Sequence, residues 1–495
     1  MNNLTSKAGI LTAGSAVGQV FLILTTIVLA RLLSKGDLGT YKQVFLVNSL
    51  LIPIFAAGIP ASIFYFLPRF SQEVDKKLFI ARTISLLWVI GIGLGIFITL
   101  SGFWAPKIMH NAALAPLLII FGLYAFGSLA ASFFEPVMVI YNKLKILLLY
   151  PILHALLAFV TVVGIAIFTD GNLKIMIFGI SVVSVLFAVV TVLLTKKTLK
   201  LEKIFEFNLD NYKDQLAYGI PLGLTSIIGV LAWEFDKLIV SFNFTPELYA
   251  VYVIGATEIP FVSLIRTSVS KVILPEMAKV YAEGNLKKFV DLWHASIRKL
   301  SLIILPIFVI ATVFSHEIIT ILYSEKFASS VPYFRIYLFL LLIRVASYGI
   351  ILQAIGKTKE NLKGSLVFFS TNAVLNVLLV SWLGLIGPAL ATVIATFLNV
   401  FYYIVVIKKY IKFTWEQVFP WGVVLKNLAV AIMATVVVMP SFYLKLPDLV
   451  NVLVFGGLYF LVYLILISIL GILTKSDKDL LFSYIQKTFL LVKKQ

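Results

Sequence analysis

The chain predicts an all-α integral membrane protein of 14 transmembrane helices, and three observations carry that reading. Its 495 residues are 61% hydrophobic and 13% charged, with a mean hydropathy of +1.03, whereas soluble domains carry roughly 25% charged residues. Fourteen stretches reach the length of about 20 apolar residues that a bilayer core of roughly 30 Å requires, with little chain left between them. Lysine and arginine alternate in density from one connecting loop to the next. The runs are too long and too uniformly apolar for the alternating strands of a membrane barrel, and a helix satisfies its backbone groups within one segment.

In order, the spans are expected at 10–30, 41–67, 80–103, 114–140, 147–169, 174–195, 215–243, 248–273, 299–320, 331–355, 364–383, 386–407, 422–444 and 449–473. The first lacks the charged start, short apolar run and small-residue cleavage site of a signal peptide, and so is read as a span. An even number puts both termini on one side. Thirty of the 41 Lys and Arg residues fall on that side, concentrated at Arg69–Arg82, Lys196–Lys213, Lys271–Lys299, Lys408–Lys426 and the tail. Eight fall opposite: Arg31, Lys35, Lys42, Lys107, Lys174, Lys326, Arg335 and Lys445. The remaining three, Lys237, Arg266 and Arg344, lie inside spans. The positive-inside rule makes both termini cytoplasmic in a cell (inner or plasma) membrane.

The net charge of +18 is thereby a topology signal facing anionic headgroups, not a nucleic-acid surface. Zero cysteines exclude disulfides, thiolate metal sites and thiol catalysis. No Walker motif, HExxH or metal-ligand cluster occurs, and the short external loops leave no space for a catalytic domain. The chain is therefore expected not to be an enzyme, and a membrane polysaccharide polymerase or ligase is disfavoured. No cofactor is expected beyond a coupling H+ or Na+.

Three anchors repeat collinearly: Arg31-Leu32-Leu33 with Lys237-Leu238-Ile239, Leu67-Pro68 with Leu274-Pro275, and Lys143-Leu144-Lys145 with Lys357-Thr358-Lys359. Six spans separate each pair, so orientation is preserved. Two parallel six-helix lobes follow, related by an axis along the membrane normal. The domains expected are an N-terminal lobe at 1–195, a charged cytoplasmic linker at 196–214, a C-terminal lobe at 215–407, appended helices at 408–473 and a cytoplasmic tail at 474–495. The amphipathic segment 275–298 is expected to lie along the inner surface with its apolar face in the headgroups.

The segment Leu29 to Val47 (LARLLSKGDLGTYKQVFLV) resembles the opening signature of polysaccharide-repeat-unit (O-antigen, Wzx-type) flippases. Asn372 and Asn376 followed by LGLIGPALAT from Leu383 to Thr392 resemble the family's Asn-rich eleventh span, turn and twelfth span, with Pro388 where a small residue is usual. The Leu-Pro turns and Asp236 late in span 7 fit the same pattern. This family shares a superfamily with multidrug extruders and lipid II flippases. The resemblance implies translocation of a polyprenyl-pyrophosphate-linked oligosaccharide from the inner to the outer leaflet by alternating access, coupled to an ion gradient. Membrane lipids and polysaccharide-assembly proteins are the expected partners, and a monomer is the expected unit because one chain suffices to build the cavity. Alternatives are a lipid II flippase and a cation-coupled multidrug exporter. Read as residues alone, Gly36, Asp37 and Gly39 make an external turn with Asp37 capping span 2. Gly384 and Gly387 let spans 11 and 12 approach, and Asn372 and Asn376 share one helical face.

An ionisable group at the bilayer centre costs roughly 2.5–3.5 kcal/mol on insertion scales, so such groups are functional candidates. Arg344, Arg266 and Lys237, with Arg31 at the outer rim, are the expected substrate contacts. A guanidinium holds phosphate oxygens bidentately and keeps its charge. The alternative for the arginines is pairing with Glu258 or Asp236 to lock helices together, and Glu234 is a local partner for Lys237. Glu258, Asp236 and Glu135 are the expected ion-coupling carboxylates, since burial raises a carboxyl pKa toward neutrality. Salt-bridged structural roles are the competing reading of each. His154 reads as a packed polar residue.

Overall fold

The computed structural model describes residues 2–207, 212–444 and 446–473. Lys445, the tail 474–495 and residues 208–211 of the expected linker lie outside them. The helices are α1 (Asn2–Leu32), α2 (Lys35–Ala56), α3 (Ile59–Phe66), α4 (Glu73–Ser101), α5 (Ala105–Ile108), α6 (Leu114–Ala130), α7 (Phe134–Ile140), α8 (Leu144–Phe168), α9 (Leu173–Leu199), α10 (Tyr212–Asn243) and α11 (Pro246–Gly255). They continue with α12 (Pro260–Ala282), α13 (Leu286–Val313), α14 (Ser315–Tyr323), α15 (Val331–Leu338), α16 (Leu340–Ile343), α17 (Gly349–Ala354), α18 (Thr358–Leu383), α19 (Ile386–Ile411), α20 (Trp415–Val418), α21 (Trp421–Met433) and α22 (Asp448–Ile469). No strand occurs among the described residues.

Twelve helical stretches among the described residues are long and apolar enough to cross a membrane. The two further spans expected from sequence are also helical. One is α1, with a shorter apolar piece at Ala16–Leu32. The other is broken into α11 and α12 by the non-helical residues 256–259. Proline lacks the N–H that would continue the ladder and disfavours helical geometry in the residue before it, so Pro260 begins a new helix.

The chain forms two compact units. The first comprises Met1–Pro260, Leu322–Phe334 and Asn361–Asn399. Buried polar bonds pin its helices. Asn111 Nδ2 donates to Thr40 Oγ1 at 2.9 Å and to Gln43 Oε1 at 2.7 Å, and Gln43 Nε2 donates to Ser241 Oγ at 2.9 Å. Toward the other end, Gln215 Nε2 donates to Ser62 Oγ at 3.0 Å and Thr83 Oγ1 at 3.2 Å. Small residues bring backbones together where these bonds form. A Cβ on Gly39 would overlap the carbonyl of Pro246, and one on Gly219 would stand 2.8 Å from Ala57 O.

The external turn is built differently from its sequence reading. Ser34 caps α2, accepting from Asp37 N at 3.1 Å, and its hydroxyl donates to Asp37 Oδ2 at 2.6 Å. Asp37 supports the cap from the first turn of the helix, where its charge suits the positive end of the dipole. Gly39 lies within α2 at the α11 contact. Gly384 makes the turn between α18 and α19 with φ +58°, while Gly387 makes the close approach, to Leu379.

The second unit comprises Phe261–Ile321, Arg335–Glu360 and Val400–Gln495. Here the appended helices dock on α13. Val309, Phe314, Val430, Phe455, Tyr459 and Tyr463 share one buried cluster. Pro306 inside α13 cannot donate to the carbonyl four residues earlier, and that carbonyl, Leu302 O, accepts from the Tyr463 hydroxyl at 3.1 Å. Tyr459 donates to Pro306 O at 3.2 Å. An orphaned acceptor at membrane depth costs several kcal/mol, so Tyr463 satisfies the carbonyl that Pro306 leaves without a donor, and Tyr459 adds a second bond to the same helix.

Segment 275–298 is not a separate surface helix. It forms the facing ends of α12 and α13 around a turn with Gly284 at φ +73°. Its apolar face, with Met277, Val280, Phe289, Trp293 and Ile297, is buried against protein, and Trp293 Nε1 donates to Val418 O at 2.7 Å. The two Leu-Pro anchors also differ. Leu67-Pro68 forms a 3-10 turn after α3, whereas Leu274-Pro275 lies inside α12.

Candidate functional site

Charge gathers in the first unit where α2 runs beside α10 and α11. Lys237 Nζ and Glu234 Oε2 are 3.0 Å apart, both about a quarter exposed at 22% and 27%. Their spacing of three residues puts them on one helical face. Asp236, on the opposite side of the helix, is fully buried, and its Oδ2 accepts from the Tyr252 hydroxyl at 2.7 Å. Glu258 sits half-buried in the break between α11 and α12. Lys237 lies within electrostatic range of all three carboxylates.

Lys42 joins this cluster. The sequence reading placed it in an external loop, because the second span was expected to begin at residue 41. The helix begins at Lys35, which carries Lys42 two turns inward. There its ammonium donates to Thr26 Oγ1 at 2.8 Å and lies within electrostatic range of Lys237. The available signal was the start motif Ser34 to Asp37, which marks the helix origin ahead of the apolar run. Two ammoniums now stand among three carboxylates.

Arg31 is exposed at the end of α1, its Nε donating to Leu322 O at 3.4 Å. The neighbouring carbonyls Arg31 O and Leu33 O accept from Lys326 Nζ at 3.1 and 2.6 Å. Basic groups therefore complete helix C-termini at this rim. Glu135 is exposed at the start of α7, within electrostatic range of Tyr150. His154 packs between Tyr150 and Phe187, with ring centroids 6.2 and 4.7 Å away.

The two arginines belong to the second unit. Arg344 follows α16 at the start of a non-helical passage, 344–348, that separates α16 from α17 inside the expected tenth span. Irregular backbone at membrane depth is tolerated where it is covered by protein or lines a cavity, and there it exposes polar groups. Arg266 is half-buried on α12. One turn later, Ser270 Oγ bonds both Arg266 O and Ser347 Oγ at 2.8 Å. This bond joins the arginine-bearing helix to the arginine-bearing break.

Asn372 and Asn376 are fully buried and structural. Asn372 Nδ2 donates to Ala232 O at 2.8 Å, while its Oδ1 accepts from Asn376 Nδ2 at 2.8 Å and Thr392 Oγ1 at 3.3 Å. They join α18 to α10 and α19. No group of three or more His, Cys, Asp or Glu suited to a metal occurs among the described residues.

The model of the polysaccharide biosynthesis protein family matches residues 28–332, and that of the lipid II flippase MurJ matches 257–458. No curated protein matches the chain by sequence. Among solved structures, an inward closed lipid II flippase MurJ is 18% identical with a TM-score of 0.71, over 93% of this chain and 99% of that one. An inward-facing multidrug resistance MATE transporter of the MOP superfamily is 16% identical with a TM-score of 0.64, over 80% and 94%. A MOP superfamily transporter from Pyrococcus furiosus, described as having a binding pocket of reverse polarity, is 17% identical with a TM-score of 0.51, over 82% and 95%. The first match covers more than half of the sequence and includes Arg31, Lys42, Glu135, Lys237, Glu258 and Arg266. The chain is a multi-pass membrane protein of the polysaccharide biosynthesis protein family, a transporter family and not an enzyme family, with the fold of MOP superfamily flippases and multidrug transporters.

Proposed function

We propose that the protein flips a polyprenyl-pyrophosphate-linked oligosaccharide from the inner to the outer leaflet. The two lobes expected at 1–195 and 215–407 alternate access, and exchange of H+ or Na+ drives them. The observation that carries this reading is Arg344 at the break between α16 and α17, with Arg266 on the neighbouring α12. A pyrophosphate cannot cross bare hydrocarbon, and a guanidinium beside freed backbone groups replaces its lost hydration. Glu258 and Asp236, with Lys42 and Lys237 beside them, provide the coupling site. Arg31 receives the phosphate at the outer rim. The apolar tail stays in lipid, both termini are cytoplasmic, and one chain is the working unit.

The test is native mass spectrometry of gently purified protein, comparing wild type with Arg344→Ala. The expected result is a polyprenyl-pyrophosphate glycan on wild type that is lost from the variant while the fold is kept. Bulk phospholipid alone on both proteins would refute the assignment and favour a small-molecule exporter. A second reading, lipid II as the cargo, is favoured by the MurJ match over 257–458 and the TM-score of 0.71. The mass of the bound glycan separates the two.

A further inference from the structure

A pocket of about 460 Å³ opens in the first unit, lined by α1, α2, α6, α8 and α9. Its volume lies in the range of small-ligand sites, ~300–1,000 Å³. Its walls combine aromatic faces with polar tips: Tyr41 and Phe45 from α2, Tyr124 from α6, Tyr150 and His154 from α8, and Gln19 from α1. The rings brace one another. Phe45 meets Tyr124 edge-on at 5.3 Å, and Tyr150 stacks near His154 at 20°. Aromatic rings thus pack against one another along the pocket wall.

Two features set the chemistry of the occupant. None of the Gln19, Tyr41, Tyr124, Tyr150 and His154 side chains makes a hydrogen bond to the described protein. Five polar groups in one pocket thus keep bonding capacity that an occupant can use. In addition, no Asp, Glu, Lys or Arg lines the pocket among the described residues. A charged ligand would find no compensating ion there, and a purely apolar one would strand the polar tips.

We propose that this pocket binds an uncharged sugar ring, with its C–H face on the tyrosine rings and its hydroxyls on Gln19, His154 and the tyrosine hydroxyls. The assignment rests on the oligosaccharide reading given above and adds a location for a neutral sugar unit, apart from the arginines of the second unit.

The experiment uses full-length protein in nanodiscs and saturation-transfer NMR with two free probes, methyl β-D-glucopyranoside and its acidic counterpart methyl β-D-glucuronide. Wild type is expected to bind the neutral glycoside at least tenfold more tightly than the acidic one. Tyr150→Leu is expected to weaken the neutral glycoside at least tenfold. Gln19→Ala, which truncates the amide side chain, and Tyr124→Phe, which removes one polar atom with little change of shape, are each expected to weaken it several-fold. Gly457→Ala, with open space around its Cβ and outside the pocket lining, is expected to leave it unchanged. No transfer to the neutral glycoside, equal binding of the two probes, or unchanged binding in folded Tyr150→Leu, Gln19→Ala and Tyr124→Phe would overturn the proposal. The flippase reading fails by a different result, the absence of a pyrophosphate lipid on wild type in the mass-spectrometry test.

Discussion

Arg344 is the residue on which the transport reading turns, and its charge and its fork can be tested separately. Arg344→Ala removes both and is expected to lower flipping at least tenfold in vesicles. Arg344→Lys keeps the charge but not the two-pronged contact, and is expected to fall between wild type and alanine. Each variant's yield and melting temperature are read beside its rate, because loss of folded protein would mean that Arg344 locks helices. Glu258→Gln is expected to make flipping insensitive to an imposed H+ or Na+ gradient, with the protein still folded. An unchanged gradient response would remove Glu258 from the coupling site. The sequence exposed these residues readily, since a charge in an apolar run stands out. Lys42 escaped because the apolar run starts after it while the helix starts before it. The pocket with His154 escaped for another reason. Its lining comes from five helices, and no local spacing of Gln19, Tyr41, Tyr124 and Tyr150 announces that they converge.

Among elements, the sharpest demands fall where helices meet without a Cβ. Gly39→Ala places a methyl group onto the carbonyl of Pro246, which is backbone and cannot rotate away. Overpacking of this kind costs typically 1–3 kcal/mol. The expected result is a lower melting temperature in detergent, whereas Gly457→Ala, with open space around its Cβ, is expected to melt like wild type. Equal melting of Gly39→Ala and wild type would show that α2 and α11 do not meet as described. At α13, Tyr463→Phe leaves Leu302 O without its donor, a loss of about 0.6–1.7 kcal/mol by analogy with interhelical bonds measured in membranes. These contacts also mark where reading from sequence stops. Long hydrophobic runs mark every expected span, though not short helices such as α5 and α20, and Asn372 and Asn376 share one helical face. Hydropathy is blind, however, to whether a polar turn lies on lipid or on protein. The amphipathic stretch 275–298 therefore looked like a membrane-surface helix although Trp293 and Ile297 pack inside the second unit.

For the whole molecule, the direction of transport depends on which side of the membrane each loop occupies, and the charge asymmetry makes a definite statement about it. By the loops expected from sequence, thirty Lys and Arg share one face against seven on the other once Lys42 is placed inside α2, and short loops are the ones that obey such a bias. The span count is equally decisive, because one span more or fewer would reverse every loop beyond it. Two of the fourteen spans deserve the closest test on this ground: α1, and the pair α11 and α12 broken at Glu258. A chain with no native cysteine allows single reporters to be placed without background labelling. Lys145→Cys and Lys197→Cys are expected to resist a membrane-impermeant maleimide in intact cells and to react after permeabilisation. Lys107→Cys and Lys174→Cys are expected to react at once, and all four positions are exposed in the fold. Beyond the broken span, Lys359→Cys is expected to be protected and Lys326→Cys, on the far side of one more span, reactive. The opposite pattern at every position would invert the protein and exclude delivery to the outer face in the proposed sense. A reversal confined to Lys326 and Lys359 would mean that α11 and α12 together do not cross, leaving an odd number of spans and two half-structures that could not rock as parallel lobes about one site.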